Sequence, residues 1–579
     1  MKLDITPLSA PSIGQKLRWK SAVSNIETFL GEKPFLGSFI ATFLLTLPIL
    51  LFFRSYFQWD DDYYAVLLLK GMVLNSAPSE FNYLENVLLG LGLKNLYIQW
   101  PSIQWYSGLF ILTHFLSIWA ILTSFNLGAN RFFKTFLFML GSVVLEIRFL
   151  NDLQWTVVAA AASIGSFLLL AALWQKPDTK CRAPALVMVF VLIILSVLIR
   201  PNALGLIATA FAPTVIHLYR KVKRTSTHRA LLAFFAITAI LALTAVLFHH
   251  YYYFRNREWK DAVEIFKERG PLVTYRTPVD NDTTQPIFNM IGWTPNDLKL
   301  LRFNYFMDPD TYSVEKFHLL NQYFPQFIVD KNPQDTFGTM LSNPGFLVAT
   351  AFFLATLPFL TGENLWFILL DALWSVLLLC FCRFYLWMPE RIYLPCFFLL
   401  NNIVLFFVLP NSQSSSASPE KLSRFFKWGI ALQVLCFVFT VYLAALHYVK
   451  VRYWAFQEKD LKVTMSYLKP QDDQVFVVWG SAFPFVKIGA FDDDEFLRHF
   501  HVIALDWFQR SPITRAMMDR YDLKNVLKDM VDNPKVFLIA HPDELNLYRT
   551  YIMEKYKKDI TFKVYFNSGQ FTVLSVHSE

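Results

Sequence analysis

The residues best placed for chemistry form one run, Trp59-Asp60-Asp61-Asp62-Tyr63-Tyr64. Adjacent carboxylates repel one another, so a chain that needs only a polar connection has less costly ways to make one. This run directly follows the first apolar stretch of membrane length, and its flanking aromatics are of the kind that settle at a lipid–water boundary. A carboxylate becomes a useful general base when burial or neighbouring charge raises its pKa toward the working pH. Bases held at a membrane surface point to chemistry on something carried by lipid. The plainer alternative is a solvated helix start, with the acids capping residues 63–70.

The chain around the run is a membrane protein. Of 579 residues, 55% are hydrophobic and 58 are Phe, the mean hydropathy is +0.36, and the apolar residues fall in bilayer-length blocks. The formal net charge of +8 is not a nucleic-acid footprint, because the basic residues gather in short loops between spans. The five Cys are scattered, with Cys380 and Cys382 inside an apolar segment, and they show neither zinc-ligand spacing nor a disulfide framework.

The fold expected is mainly α: a polytopic membrane protein with about eleven transmembrane helices and a small C-terminal extracytoplasmic α/β domain. The spans fall near 37–57, 105–125, 132–147, 154–174, 184–199, 203–218, 230–250, 344–361, 365–382, 392–409 and 428–447. The basic N-terminal tail (1–34) is expected in the cytoplasm, and the basic segments Arg131–Lys134, Lys176–Arg182, Arg220–Arg229 and Lys421–Lys427 fall on the same side. The transmembrane domain then covers 35–449, with outer loops 58–104 and 251–343, and an outer domain follows at 450–579.

In the first outer loop, Leu84, Val87, Leu88 and Leu91 repeat at helical spacing with polar residues between them, which reads as an interfacial helix. Residues 62–74 read as a second, separated from it by Pro78. The loop 251–343 carries helix-cap signals at Thr294, Asn296 and Ser313 and is expected to form short helices over the membrane. In the C-terminal region, 475–479, 535–540 and 571–576 read as strands and 543–557 as a helix. That region has no glycine-rich phosphate loop, His-Glu-x-x-His or nucleophile elbow, so recognition or a lid is its expected role.

Under this topology further polar residues converge on the outer face. They are Glu146, Arg148, Asn151 and Asp152 between the third and fourth spans, Arg200 between the fifth and sixth, and Arg383, Glu390 and Arg391 between the ninth and tenth. Arginines there run against the positive-inside bias, and their planar forks suit a lipid-borne phosphate as well as nearby acids or headgroups. A sugar on a polyprenyl phosphate already has a good leaving group. Its transfer needs a carboxylate to take the proton of the attacking hydroxyl and cations to hold the charge that grows on the phosphate. One base acting on the acceptor gives single displacement with inversion.

The layout resembles the GT-C superfamily of membrane glycosyltransferases. The resemblance rests on Trp59-Asp60-Asp61-Asp62, on the helices after it with Ser79-Glu80-Phe81 and Trp105-Tyr106, and on Ile291-Gly292-Trp293-Thr294-Pro295-Asn296-Asp297. It implies a glycosyltransferase of a bacterial inner membrane, N-terminus cytoplasmic and C-terminus extracytoplasmic. The donor would be a lipid-linked sugar, and the acceptor an envelope lipid, glycan or protein. The catalytic acid maps onto the run as a whole, and among the three Asp61 is narrowly preferred to Asp60 and Asp62. No family motif fixes the phosphate site; from the topology, Arg148, Arg200, Arg383 and Arg391, with Glu146 and Asp152, would line it. Some members of the superfamily use a divalent cation (Mg or Mn); here Asp60 and Asp62 would be its first ligands, and other oxygens would be needed. His249-His250 read as interfacial residues.

Rival readings start from Asp371 and His114, ionisable residues inside spans. They would serve a secondary transporter or flippase for a lipid-linked or small polar substrate, although internal repeats and paired broken helices are not visible. An O-acyltransferase with His114 as base, or a scaffold without catalysis, gives the acidic run no role or a purely structural one.

Overall fold

The computed structural model describes residues 32–74, 77–82, 85–128, 150–221, 226–274, 278, 281–282, 284–323, 333–360, 362–385, 389–411, 422–506 and 508–579. The span expected at 132–147 and the basic segment Arg131–Lys134 lie outside them.

Among the described residues nine helices are long and apolar enough to cross a membrane. The chain opens with α1 (Pro34–Phe52), a two-residue β1 (Tyr56–Phe57), α2 (Asp60–Lys70) and α3 (Val87–Gln99). Then come α4 (Trp105–Gly128), β2 (Asp152–Leu153), α5 (Trp155–Gln175), α6 (Arg182–Ile199), α7 (Pro201–Lys221) and α8 (Ser226–Arg255). Short helices follow, as the loop's cap signals led one to expect: α9 (Arg257–Thr274), α10 (Gln285–Ile291), α11 (Pro295–Arg302), α12 (Val314–Tyr323) and α13 (Pro333–Ser342). Thr294 caps α11 in a reciprocal box with Asp297. The membrane part closes with α14 (Pro344–Thr356), α15 (Glu363–Tyr385), α16 (Glu390–Asn411) and α17 (Leu422–Leu468).

Two elements differ in length from the reading of the sequence. The span placed at 344–361 is the 13-residue α14 followed by a 3-10 turn, Leu357–Phe359, built on Pro358. The domain boundary placed at 450 falls inside α17, which carries the chain unbroken from the bilayer to Leu468.

Helix α5 is the hub of the bundle. It is 94% buried over its membrane window, and its run Ala159–Ala162, Ser163, Gly165 and Ser166 lets neighbouring backbones approach closely. Ser196 of α6 bonds Ser163 Oγ at 2.7 Å and the Ala159 carbonyl at 2.9 Å.

The C-terminal domain is a five-stranded mixed sheet in the order β4 (Val502–Leu505), β3 (Val475–Trp479), β5 (Val536–Ile539), β7 (Thr572–Ser578), β6 (Ile560–Asn567). Strands β3, β4 and β5 run parallel, and β7 is antiparallel to β5 and β6. Helices α18 (Pro512–Arg520), α19 (Val526–Asp529) and α20 (Pro542–Tyr556) complete it. The short loop helices pack with this domain in a second core joining Trp293, Tyr305 and Tyr312 to Trp479, Tyr548 and Tyr551. All three segments expected on the outer face therefore meet at one end of the bundle.

A side chain at Gly165 would place its Cβ 2.9 Å from the Ser117 carbonyl of α4. Gly165→Leu is expected to push α4 and α5 apart and cost about 1–3 kcal/mol, read as a lower unfolding temperature of the purified protein in detergent.

Candidate functional site

The acidic run is the first turn of α2, where unpaired backbone N–H groups favour negative charge. It is not a solvated start. Asp62 is 1% exposed, while Asp60 and Asp61 are half-buried. Successive helical residues turn by about 100°, so the three carboxyls face different surroundings.

Asp60 faces the C-terminal domain, where its Oδ1 accepts the Val486 N–H at 3.2 Å. Burial, reinforced by the charge of Asp61, raises its pKa to about 7, against the opposing pull of that N–H. Asp61 lies within electrostatic reach of Arg269, a buried α9 guanidinium that also feels Asp506 and whose pKa burial lowers to about 10.

Asp62 points into the bundle. Strand β1 runs parallel to β2, which brings the entry to α2 beside the entry to α5. Asp62 Oδ1 thereby accepts the Trp155 N–H, the first of α5, at 3.3 Å, and meets the Tyr106 hydroxyl at 3.3 Å. Its Oδ2 is buried without a hydrogen bond. Burial first, then the charges of Asp61 and Glu85, push its pKa well above the usual carboxylate range, opposed by the Trp155 N–H and Arg391.

The same Tyr106 hydroxyl lies 2.5 Å from Glu85 Oε1. Glu85, one of the polar residues between Leu84 and Val87, precedes α3 and turns inward beside Asn86, which is tied down. Asn86 donates its backbone N–H to the Leu198 carbonyl at 2.8 Å and its side-chain amide to Ala245 at 2.9 Å, while its Oδ1 caps Leu88. Burial raises the Glu85 pKa to about 7, with Tyr106, Arg200 and Asn82 opposing. One hydroxyl hydrogen cannot serve two carboxylates. The Glu85–Tyr106–Asp62 array therefore holds an extra proton when both contacts are made.

Two of the expected arginines reach these acids. The Arg200 guanidinium stacks 3.9 Å from the Trp155 ring and favours the charged form of Glu85. Arg391 lies 5.9 Å from the exposed Trp59 ring and favours the charged form of Asp62. Arg383 is buried in the last turn of α15. Asp152 turns to α17 instead, 3.6 Å from Lys450 and 4.0 Å from His447. Glu146 and Arg148 lie outside the described residues. His249 accepts the Val87 N–H at 3.1 Å and so helps start α3. Asp371 and His114 are buried on separate spans, α15 and α4.

A divalent cation between Asp60 and Asp62 does not fit, since the two lie about 200° apart around α2 and bond to Val486 and to Trp155 with Tyr106. Among the described residues no group of three or more His, Cys, Asp or Glu is arranged to hold a metal ion.

The fold and site define a polytopic membrane protein that sets carboxyls and arginines at one end of its bundle, beneath a small α/β domain. No protein-family model matches the chain, and no curated protein does. Among solved structures it is similar to the crystal structure of ArnT from Cupriavidus metallidurans in the apo state, at 12% identity and a TM-score of 0.41, over 94% of this chain and 98% of that chain. It is also similar to the crystal structure of the same protein bound to undecaprenyl phosphate, at 12% identity and a TM-score of 0.33, over 94% and 97%.

Glu85 keeps its proton in the folded state up to about pH 7, whereas an unfolded Glu loses it near pH 4.3. Between those values the folded state binds more protons, so its stability falls as pH rises. Glu85→Gln removes that loss. From pH 5 to about pH 7 its unfolding temperature is expected to gain on the unaltered protein and then to level off; a difference that stays constant from pH 5 to pH 8 would contradict the assignment.

Proposed function

We propose that the protein is a membrane glycosyltransferase that moves a sugar from a polyprenyl-phosphate donor to an envelope acceptor with inversion. The observation that carries this reading is the pairing of acids and arginines at the bundle end. Asp60 is half-buried with a pKa near 7, and Arg200 and Arg391 stand on aromatic faces beside the other acids.

Asp60 is the base we assign, in place of Asp61. A base works best with a pKa near the working pH, and its Val486 contact engages one oxygen, leaving the other for an acceptor hydroxyl. The acceptor oxygen attacks the anomeric carbon while its proton passes to Asp60. The bond from that carbon to the phosphate oxygen breaks, and its electron pair leaves with the phosphate. Arg200 and Arg391 hold the charge that develops there. Asp62, held toward its neutral form by burial, leaves Arg391 free to bind phosphate. The site faces outward, with the N-terminal tail in the cytoplasm, in accord with the basic inner loops.

Incubating the purified protein with a radiolabelled polyprenyl-phosphate sugar and a membrane extract tests this. Transfer should appear, rise with pH to a plateau above about 7, and fall about 100-fold or more in Asp60→Asn. Arg200→Met and Arg391→Met should each raise the donor KM about tenfold or more. Substrate flux across vesicles without transfer, lost in Asp371→Asn, would favour a transporter instead.

A further inference from the structure

A second acidic run, Asp492-Asp493-Asp494, lies in the C-terminal domain, and it is packed against the helix that carries the first. Lys70, the last residue of α2, meets both carboxylate oxygens of Asp494 at 2.7 and 2.8 Å. The two side chains are only 5% and 8% exposed. At the other end of α2, Asp60 accepts the Val486 N–H. Between them the Phe485 ring stacks on Tyr63 at 5.6 Å and meets Tyr64 edge-on at 5.1 Å. The segment thus holds α2, eleven residues long, at both ends and between them.

It is itself anchored to the membrane helices. The Ala490 N–H donates to the Ser55 carbonyl at 2.8 Å, the Ala490 carbonyl accepts Ser107 Oγ at 2.5 Å, and the Asp492 carbonyl accepts the Gln104 amide at 2.9 Å. Arg54 at the end of α1 reaches Asp492 at 3.2 Å. A buried ion pair of this kind adds little stability over a well-packed apolar pair, and its best-attested use is to set register. Turning α2 by a single residue would carry Asp60 about 100° away from Val486.

We propose that Lys70 and Asp494 are positioning residues for transfer: they lock the rotation of α2 so that the C-terminal domain presents the Val486 N–H to Asp60. The domain is then a working part of the site and not a lid over it. The proposal rests on the assignment of Asp60 as base. The groups facing Asp60 are Asp61 and Tyr64 on α2 and Val486 beside Lys487; those facing the ion pair are Tyr63 and Tyr97.

The test uses the full chain in detergent with the radiolabelled polyprenyl-phosphate sugar. Lys70→Met with Asp494→Leu replaces the pair by apolar side chains and should leave the unfolding temperature within a few degrees of the unaltered protein's. Its kcat should fall about tenfold or more, and the pKa on the acid limb of the rate profile should rise as the N–H support loosens. Exchanging the charges, Lys70→Asp with Asp494→Lys, should restore part of both. Val486→Pro deletes the donated N–H while leaving the ion pair in place and should raise the same pKa, which keeps the idea testable if the double variant folds poorly. An unchanged kcat and an unchanged profile in a folded variant overturn the proposal. Where the unaltered protein transfers nothing, the reading of Asp60 as base fails. The clasp is then judged by the infrared titration of the Asp60 carboxyl, found by difference from Asp60→Asn. A shift in Lys70→Met with Asp494→Leu, in the direction that Val486→Pro gives, upholds the clasp, and no shift in that double variant overturns it.

Discussion

Taking a carboxylate out of water costs several kcal/mol unless donors or counter-charges meet it, and α2 begins with three of them. The surrounding structure answers that cost one acid at a time. Asp60 receives an N–H from the C-terminal domain, and Asp62 receives the first N–H of α5. The start of α2 adds its own dipole, and Arg391 and Arg200 add positive charge near Asp62 and Glu85. What these groups do not offset is met by protonation, which is why burial raises all three of Asp60, Asp62 and Glu85.

That constraint organises the larger architecture. Holding an N–H against Asp60 requires a rigid C-terminal domain, and α17 supplies the strut that carries the chain there from the membrane bundle without a break. Holding another against Asp62 requires α5 to start beside α2, which the β1–β2 pairing secures. The small residues of α5 then let α4 and α6 close around it, bringing Tyr106 and Arg200 to the same end. Lys450 and His447 of α17 meet Asp152 in that same region, so the strut is tied to the bundle where the site lies.

Much of the fold was legible because its signals are local. Bilayer-length apolar blocks located ten of the eleven expected spans on helices, the eleventh lying outside the described residues. Cap residues such as Thr294 located the loop helices, and apolar strand runs located β3, β5 and β7. Strands β4 and β6 were missed. Val502–Leu505 is only four residues long, and Ile560–Asn567 carries an irregular burial pattern with a bulge between Val564 and Phe566. Glu85 and Tyr106 were missed as site residues because nothing near either in sequence marks it as inward-facing. The second aspartate run was open to notice by its type, but not by its partner, which lies some 420 residues away.

The amino-acid sequence by itself determined that this chain lives in a membrane, where its helices lie, and that a cluster of acids stands at the end of the first span. Hydrophobicity and capping act over a few residues, so they can be read from the order of residues alone. Only the tertiary structure decided which acid is half-buried and which is sealed, which arginines come near them, and that the C-terminal domain grips the acidic helix at both ends. Those outcomes depend on desolvation and on donors supplied by distant segments, and neither exists until the chain has folded.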